Sequence, residues 1–282
     1  MENAVDKNEI KRLKRERIAK RITEIDVLRG ICVLLMIFDH LMYDLWGLMP
    51  YIFKDFPILE TFWAQAVTFA IDYWTWDVRI WVRRVIVFFF LALTGISCSF
   101  SKSNLKRGLI LAAVALGVSI GTFVLGEVMG DKDYFISFGI LHLISLSIIT
   151  VSLVELITKN KWVFLGICVV MITAGAFLLK ESYASYYGGN FFELYFKQFV
   201  GLILLGPDSY SFLFYGGQVF FGVFLGKLLY KERRSLIFKK GYSNNPLTFV
   251  GRHSLIVYVA HQLLIPLILA LILLIAGYQL NL

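Results

Sequence analysis

The chain has 282 residues, 58% hydrophobic and 17% charged, with a formal net charge of +8 and a mean hydropathy of +0.71. That balance excludes a soluble globular domain, and the long unbroken apolar runs exclude the alternating pattern of a membrane β-barrel. What remains is an all-α, polytopic membrane protein, because helices satisfy their own backbone in lipid.

The chain opens on a basic arm, residues 1–24, carrying "KNEIKRLKRERIAKR". Beside membrane spans, such a run reads as a cytoplasmic flank that sets topology, not as a nucleic-acid surface. Residues 25–282 then read as one membrane domain with no internal repeat. About seven clear spans are expected, at 26–48, 82–101, 107–129, 135–157, 162–180, 211–230 and 250–277. Residues 58–76 and 191–206 are apolar and aromatic but broken by charges, as in interfacial or partial helices. With the N-terminus cytoplasmic, the inner segments 102–107, 158–161 and 231–249 are basic and the C-terminus falls outside. "RIWVRR", with Arg79, Arg83 and Arg84, breaks that pattern. Arg83 and Arg84 are therefore candidates for an anionic substrate, with snorkelling to headgroups as the plainer alternative. Cys32, Cys98 and Cys168 lie in apolar runs without metal-ligand spacing, so no metal is expected.

The first span, "EIDVLRGICVLLMIFDHLMYDLWG", carries Asp26, Arg29, Asp39, His40 and Asp44. Residues eleven apart on a helix differ by only about 20°, so Arg29 and His40 share a face. Asp26, Tyr43 and Asp44 fall within about 60° of that line, whereas Asp39 sits further round and has no explanation there. Intramembrane ionisable groups usually face a protein interior or a wet cavity. By depth, the outer half offers His40, Asp44 and His142. The inner side offers Arg29, Arg252, Lys106 and Arg107, while His261 lies near the midplane. His40 with Asp44 one turn on suits a general base whose ring a carboxylate orients. Guanidinium forks such as Arg29 and Arg252 suit phosphate. The same polar track also suits a transporter or exporter of an anionic envelope precursor, which is the competing reading.

"IDVLRGICVLLMIFDHLMYDL" resembles the opening span of bacterial membrane proteins grouped with the catalytic domain of heparan-α-glucosaminide N-acetyltransferase. "FFFLALTGISCSFSKSNLKRG", "FGILHLISLSI" and "PLTFVGRHSLIVYVAHQ" are similar to later stretches of that family, in the same order. The resemblance implies a transmembrane acyltransferase that moves an acyl group from cytoplasmic acetyl-CoA to an extracytoplasmic sugar. Asp26, Arg29 and Gly30 match its D-x-x-R-G element, and Gly139 to His142 its G-I-L-H element. Gly251, Arg252, Ser254, Tyr258, His261 and Gln262 match its last motif. The animal lysosomal members are thought to use a histidine in the loop after the first span. Residues 49–80 here contain none, so the chemistry falls to His40 or His142, by direct transfer or through an acyl-histidine. The expected site is then His40, Asp44 and His142 for catalysis, with Arg29, Arg252, Lys106 and Arg107 for the donor. Arg83, Arg84, Tyr258 and His261 are assigned to the acceptor. The expected partners are the lipid bilayer and a sugar or glycolipid acceptor in the cell envelope; homo-oligomerisation is left open.

Overall fold

A computed structural model of the chain describes residues 9, 12, 21–57, 61–130, 134–180, 183–184, 190–206, 208–238, 242 and 244–281. Most of the basic arm lies outside the described residues.

The described chain is helical almost throughout. In order, α1 spans Thr23–Tyr43, a π-helical turn covers Asp44–Leu48, and α2 spans Met49–Ile52. They are followed by α3 (Phe62–Thr75), α4 (Asp77–Cys98), α5 (Asn104–Met129), α6 (Ile140–Ile157) and α7 (Lys161–Leu178). Strand β1 (Tyr183–Ala184) pairs in parallel with β2 (Leu204–Leu205). Helix α8 (Phe191–Val200) lies between the two strands, and α9 (Phe212–Leu229), α10 (Pro246–Arg252) and α11 (Ser254–Ile275) complete the chain.

Among the described residues six helices, α4 to α7, α9 and α11, are long and apolar enough to cross a bilayer, which makes this a multi-pass membrane protein. The remaining expected span is helical as α1, but Arg29, Asp39 and Asp44 set it apart from the six. The two ambiguous segments resolve by length. Helix α3 has 14 residues and α8 has 10. At about 1.5 Å per residue these reach roughly 21 and 15 Å, short of the ~30 Å hydrocarbon core.

Two boundaries differ from the hydropathy reading for physical reasons. Helix α4 begins at Asp77 and takes in the "RIWVRR" arginines, its acidic first residue suiting a helix N-terminus. The last expected span is broken at His253, whose φ of −106° and ψ of 20° separate α10 from α11. Helix α10 has its own start signal, since the Asn245 side chain accepts from the Thr248 N–H at 2.9 Å and Pro246 follows Asn245.

The chain forms two compact units, Met1–Phe90 with Arg234–Leu282, and Leu91–Arg233. In the first, α1 packs along α10 and against α3 and α11. Gly30 and Gly251 permit the α1–α10 approach. A side chain at Gly30 would strike the Leu247 carbonyl, and one at Gly251 the Asp26 carbonyl. Small residues that let backbones touch are how membrane helices gain dispersion contacts without a hydrophobic driving force. An apolar core of Met42, Leu45, Met49, Phe53, Val67 and Leu273 joins the π turn, α2, α3 and α11. The C-terminal end is pinned to it, with Lys54 N–H donating to Gln279 O and Asn281 N–H to Ile52 O, at 2.9 and 2.8 Å.

In the second unit α5 packs along α6, and α7 along α9. Gly95 and Gly222 bring α4 and α9 into backbone contact in the same manner. Outward faces stay apolar: Phe177, Leu156 and Ile157 are 93%, 80% and 87% exposed. That arrangement suits lipid and not water.

Candidate active site

Three polar clusters organise the first unit. At the start of α1, Arg21 clasps Asp26 with both prongs, Nε to Oδ2 at 2.6 Å and Nη2 to Oδ1 at 2.7 Å. Tyr242 O–H donates to the same carboxylate at 3.1 Å. The hydrogen bond to Asp26 raises the Arg21 pKa above its ordinary value, and burial raises that of the Tyr242 phenol, so both keep their protons. Glu24, 3% exposed, accepts from Leu236 N–H at 2.7 Å and from the Ser235 hydroxyl. These bonds tie the head of α1 to the segment before α10.

Arg29 and Arg252 sit next in sequence to the two contacting glycines, one on each helix. Arg29 Nη1 lies 4.0 Å from Asp26 Oδ1. Arg252 reaches Asn244 Oδ1 at 3.4 Å, with its guanidinium over the Phe249 ring. The D-x-x-R-G and G-R-H-S motifs thus meet as one packed crossing flanked by arginines.

Further along α1, His40 Nδ1 lies 2.7 Å from the Met36 carbonyl and 3.3 Å from His261 Nε2. A carbonyl only accepts, so in the neutral ring Nδ1 carries the proton and Nε2 keeps the lone pair. His261 Nε2 is then a second acceptor for the same N–H. The two rings meet edge-on with centroids 4.9 Å apart, and Tyr258 packs on the other ring at 5.3 Å from His261. His261 and Tyr258 are buried, at 5% and 7% exposure. Asp44 is buried in the π turn, and among the described residues its Oδ2 has no hydrogen-bond partner. The ring of His40 is therefore held by Met36 and His261, not by Asp44 as the one-turn spacing implied.

The third cluster explains Asp39. Arg79 of α4 grips it at 2.8 and 3.0 Å, Tyr73 O–H donates at 3.0 Å, and the guanidinium lies 3.3 Å from the centre of the Trp74 ring. Hydropathy reasoning left Asp39 and Arg79 as separate oddities. Two opposite charges lacking partners in a membrane chain were the signal that they pair. Of the other two arginines, Arg83 is exposed and Arg84 lies over the Trp81 ring at 4.9 Å.

The remaining candidates belong to the second unit. Lys106 is exposed, and Arg107 reaches Ser97 O and Asn104 Oδ1 at 3.4 Å each. Both nitrogens of His142 are engaged. Its Nδ1 accepts the Gly139 N–H at 3.3 Å and its Nε2 faces Ser119 Oγ at 3.0 Å. Ser119 in turn donates to Ile136 O at 2.7 Å, so Nε2–H is the donor to Ser119. Asp208 Oδ2 accepts from Ile140 N–H at 3.0 Å, in the space that Gly139 leaves without a side chain. The G-I-L-H element is thus the N-terminal cap of α6. Both ring nitrogens of the expected catalytic His142 are thus engaged at this helix start. Among the described residues no group of three or more His, Cys, Asp or Glu side chains could hold a metal ion.

The family model described as heparan-alpha-glucosaminide N-acetyltransferase, catalytic, matches residues 21–263. The chain belongs to that family. It is thereby a membrane acetyltransferase, and the activity implies an acyl donor such as acetyl-CoA. Comparisons with curated proteins and with solved structures return no match. The matched stretch includes α1, the α6 cap, α10 and the part of α11 that carries Tyr258 and His261.

Proposed function

We propose that the chain transfers an acetyl group from acetyl-CoA to an amine or hydroxyl of an extracytoplasmic sugar or cell-envelope glycan, with His40 as general base. The observation that carries this reading is the Met36–His40–His261 arrangement, which leaves Nε2 of His40 as the basic atom.

Acetyl-CoA, when bound, supplies the activated thioester. His40 Nε2 takes the proton of the attacking amine or hydroxyl as its bond to the acyl carbon forms. The carbon–sulfur bond breaks, and the imidazolium returns the proton to the departing sulfur. While the ring is charged, its Nδ1–H points at two acceptors, Met36 O and His261 Nε2, which stabilise that form where charge develops. Arg29 and Arg252 are suited to the phosphates of the donor, because planar guanidinium forks bind phosphate oxygens in pairs. Tyr258 supports the His261 ring, and the orienting task expected of Asp44 passes to His261.

The test uses purified protein with acetyl-CoA and amino-sugar acceptors, reading CoA thiol release and acetylated product by mass spectrometry. His40→Ala is expected to lower kcat/KM by about 10²–10⁴-fold, the usual contribution of a positioned base. His261→Ala is expected to lower kcat by roughly 10–100-fold, as loss of an orienting partner does, with little change in KM for the donor. Wild-type transfer by folded His40→Ala protein would refute the assignment. Flux of an anionic glycan precursor into liposomes without any acyl donor would favour transport instead.

A further inference from the structure

The second unit holds a basic concavity that the acetyl-transfer reading does not use. It has a volume of about 280 Å³, and Lys159, Lys161, Lys227, Lys231 and Arg233 all line it. Lys227 is positioned within the protein, its Nζ 2.9 Å from Glu155 Oε1. Glu155 is itself fixed by Asn104 Nδ2 at 2.9 Å, and Asn104 also donates to the Cys98 carbonyl at 2.9 Å. Arg233 holds a left-handed backbone at φ 53°, with its N–H bonded to Tyr230 O at 2.9 Å. A side chain without glycine's freedom kept there needs surroundings that enforce it. Glu232 lies between two of the cations in sequence but is not among the lining residues.

A helix C-terminus accounts for one cation, such as Lys227 in the last turn of α9. Glu155 answers Lys227, and the other four cations lining the same hollow repel one another unless a further anion sits among them. The surroundings say which anion. Leu156 and Ile157 end α6 just before Lys159, Trp162 follows Lys161, and Leu229 precedes Lys231 by two residues; their exposures are 80%, 87%, 59% and 49%. Exposed apolar side chains give way to lysines within two or three residues, as at the boundary between hydrocarbon and headgroups. The volume lies just below the ~300–1,000 Å³ of drug-sized ligand pockets. It suits a phosphate with its attached alcohol and not a whole nucleotide donor.

We propose that this concavity is a phosphate-binding site that takes the headgroup of an anionic phospholipid. Basic pockets between membrane helices bind such headgroups through charge-assisted hydrogen bonds to phosphate oxygens. None of the residues lining the concavity is assigned to acyl transfer, and its occupancy does not depend on that assignment.

The test is native mass spectrometry of the full chain in detergent, with phosphatidylglycerol or phosphatidylcholine added, and inorganic phosphate as a competitor. Wild-type protein is expected to retain phosphatidylglycerol in preference to phosphatidylcholine. Lys231→Gln with Arg233→Asn, both at exposed positions, is expected to reduce that retention by about tenfold or more. Lys54→Gln with Lys180→Gln, removing as much charge outside the concavity, is expected to leave it unchanged. Equal retention of the two lipids, or an equal loss in both double variants, overturns the proposal. Binding of inorganic phosphate with no lipid preference assigns the site to a soluble phosphate and overturns the lipid source.

Discussion

Asp39 and Arg79 meet in a two-pronged ion pair, Nε to Oδ1 at 2.8 Å and Nη2 to Oδ2 at 3.0 Å. The Arg79 side chain is 8% exposed and that of Asp39 19%, so neither charge has ready recourse to water. Removing one partner strands the other, which for buried pairs costs about 3–5 kcal/mol. Arg79→Ala is expected to lower the thermal midpoint of the detergent-solubilised protein sharply. Arg79→Lys restores little, because lysine has neither the fork nor the plane that stacks on Trp74. A midpoint for Arg79→Ala within a degree of wild type would show that the pair contributes nothing.

Tyr73 adds a pH dependence to the same cluster. Burial, reinforced by the charge of Asp39, raises its phenol from 10.0 to about 12. A group whose pKa is raised on folding contributes stability that is complete below its unfolded pKa and lost as pH climbs through the folded one. The contribution of Tyr73 is therefore expected to fade between pH 10 and about 12. Unfolding of wild type and Tyr73→Phe, followed across that window, should converge as pH rises. A constant difference between them rules the linkage out.

The Gly30–Gly251 crossing predicts an asymmetry among glycines. Alanine at either position must push backbone against backbone, and overpacking of this kind costs about 1–3 kcal/mol. Gly117, on α5, has nothing within 4 Å of where its side chain would lie. Gly117→Ala should be neutral or stabilise the helix by roughly 0.5–1 kcal/mol. Thermal midpoints of the three variants test the ordering, and similar losses in all three would contradict it.

Because His142 caps α6, His142→Ala should damage stability and leave chemistry intact. Loss of a capping group costs about 0.5–2 kcal/mol. Activity per folded molecule, from active protein recovered by size-exclusion chromatography, is expected to stay within a few fold of wild type. Loss on the scale expected for His40→Ala, with the midpoint unchanged, would give His142 a catalytic role instead. Asp208→Ala should resemble His142→Ala in stability, since both side chains accept N–H groups at the same helix start.

Hydropathy and the charge of the connecting loops sufficed for the all-α membrane architecture. A helix in lipid closes its backbone hydrogen bonds within itself, so some twenty apolar residues declare a span without reference to the rest of the chain. The ordered motifs likewise carried the family, and helical angle alone put Arg29 and His40 on one face. Partners were another matter. Asp39 finds Arg79 forty residues away and His40 finds His261 221 residues away, separations no local period encodes. The free energy that decides such pairs comes from burying charges and rings together, and it exists only once helices have crossed. The same crossing gave Gly30 and Gly251 a packing role, made His142 a cap, and moved the support of His40 from Asp44 to His261. Spans are local properties of a chain in lipid; the site is a property of which helices touch.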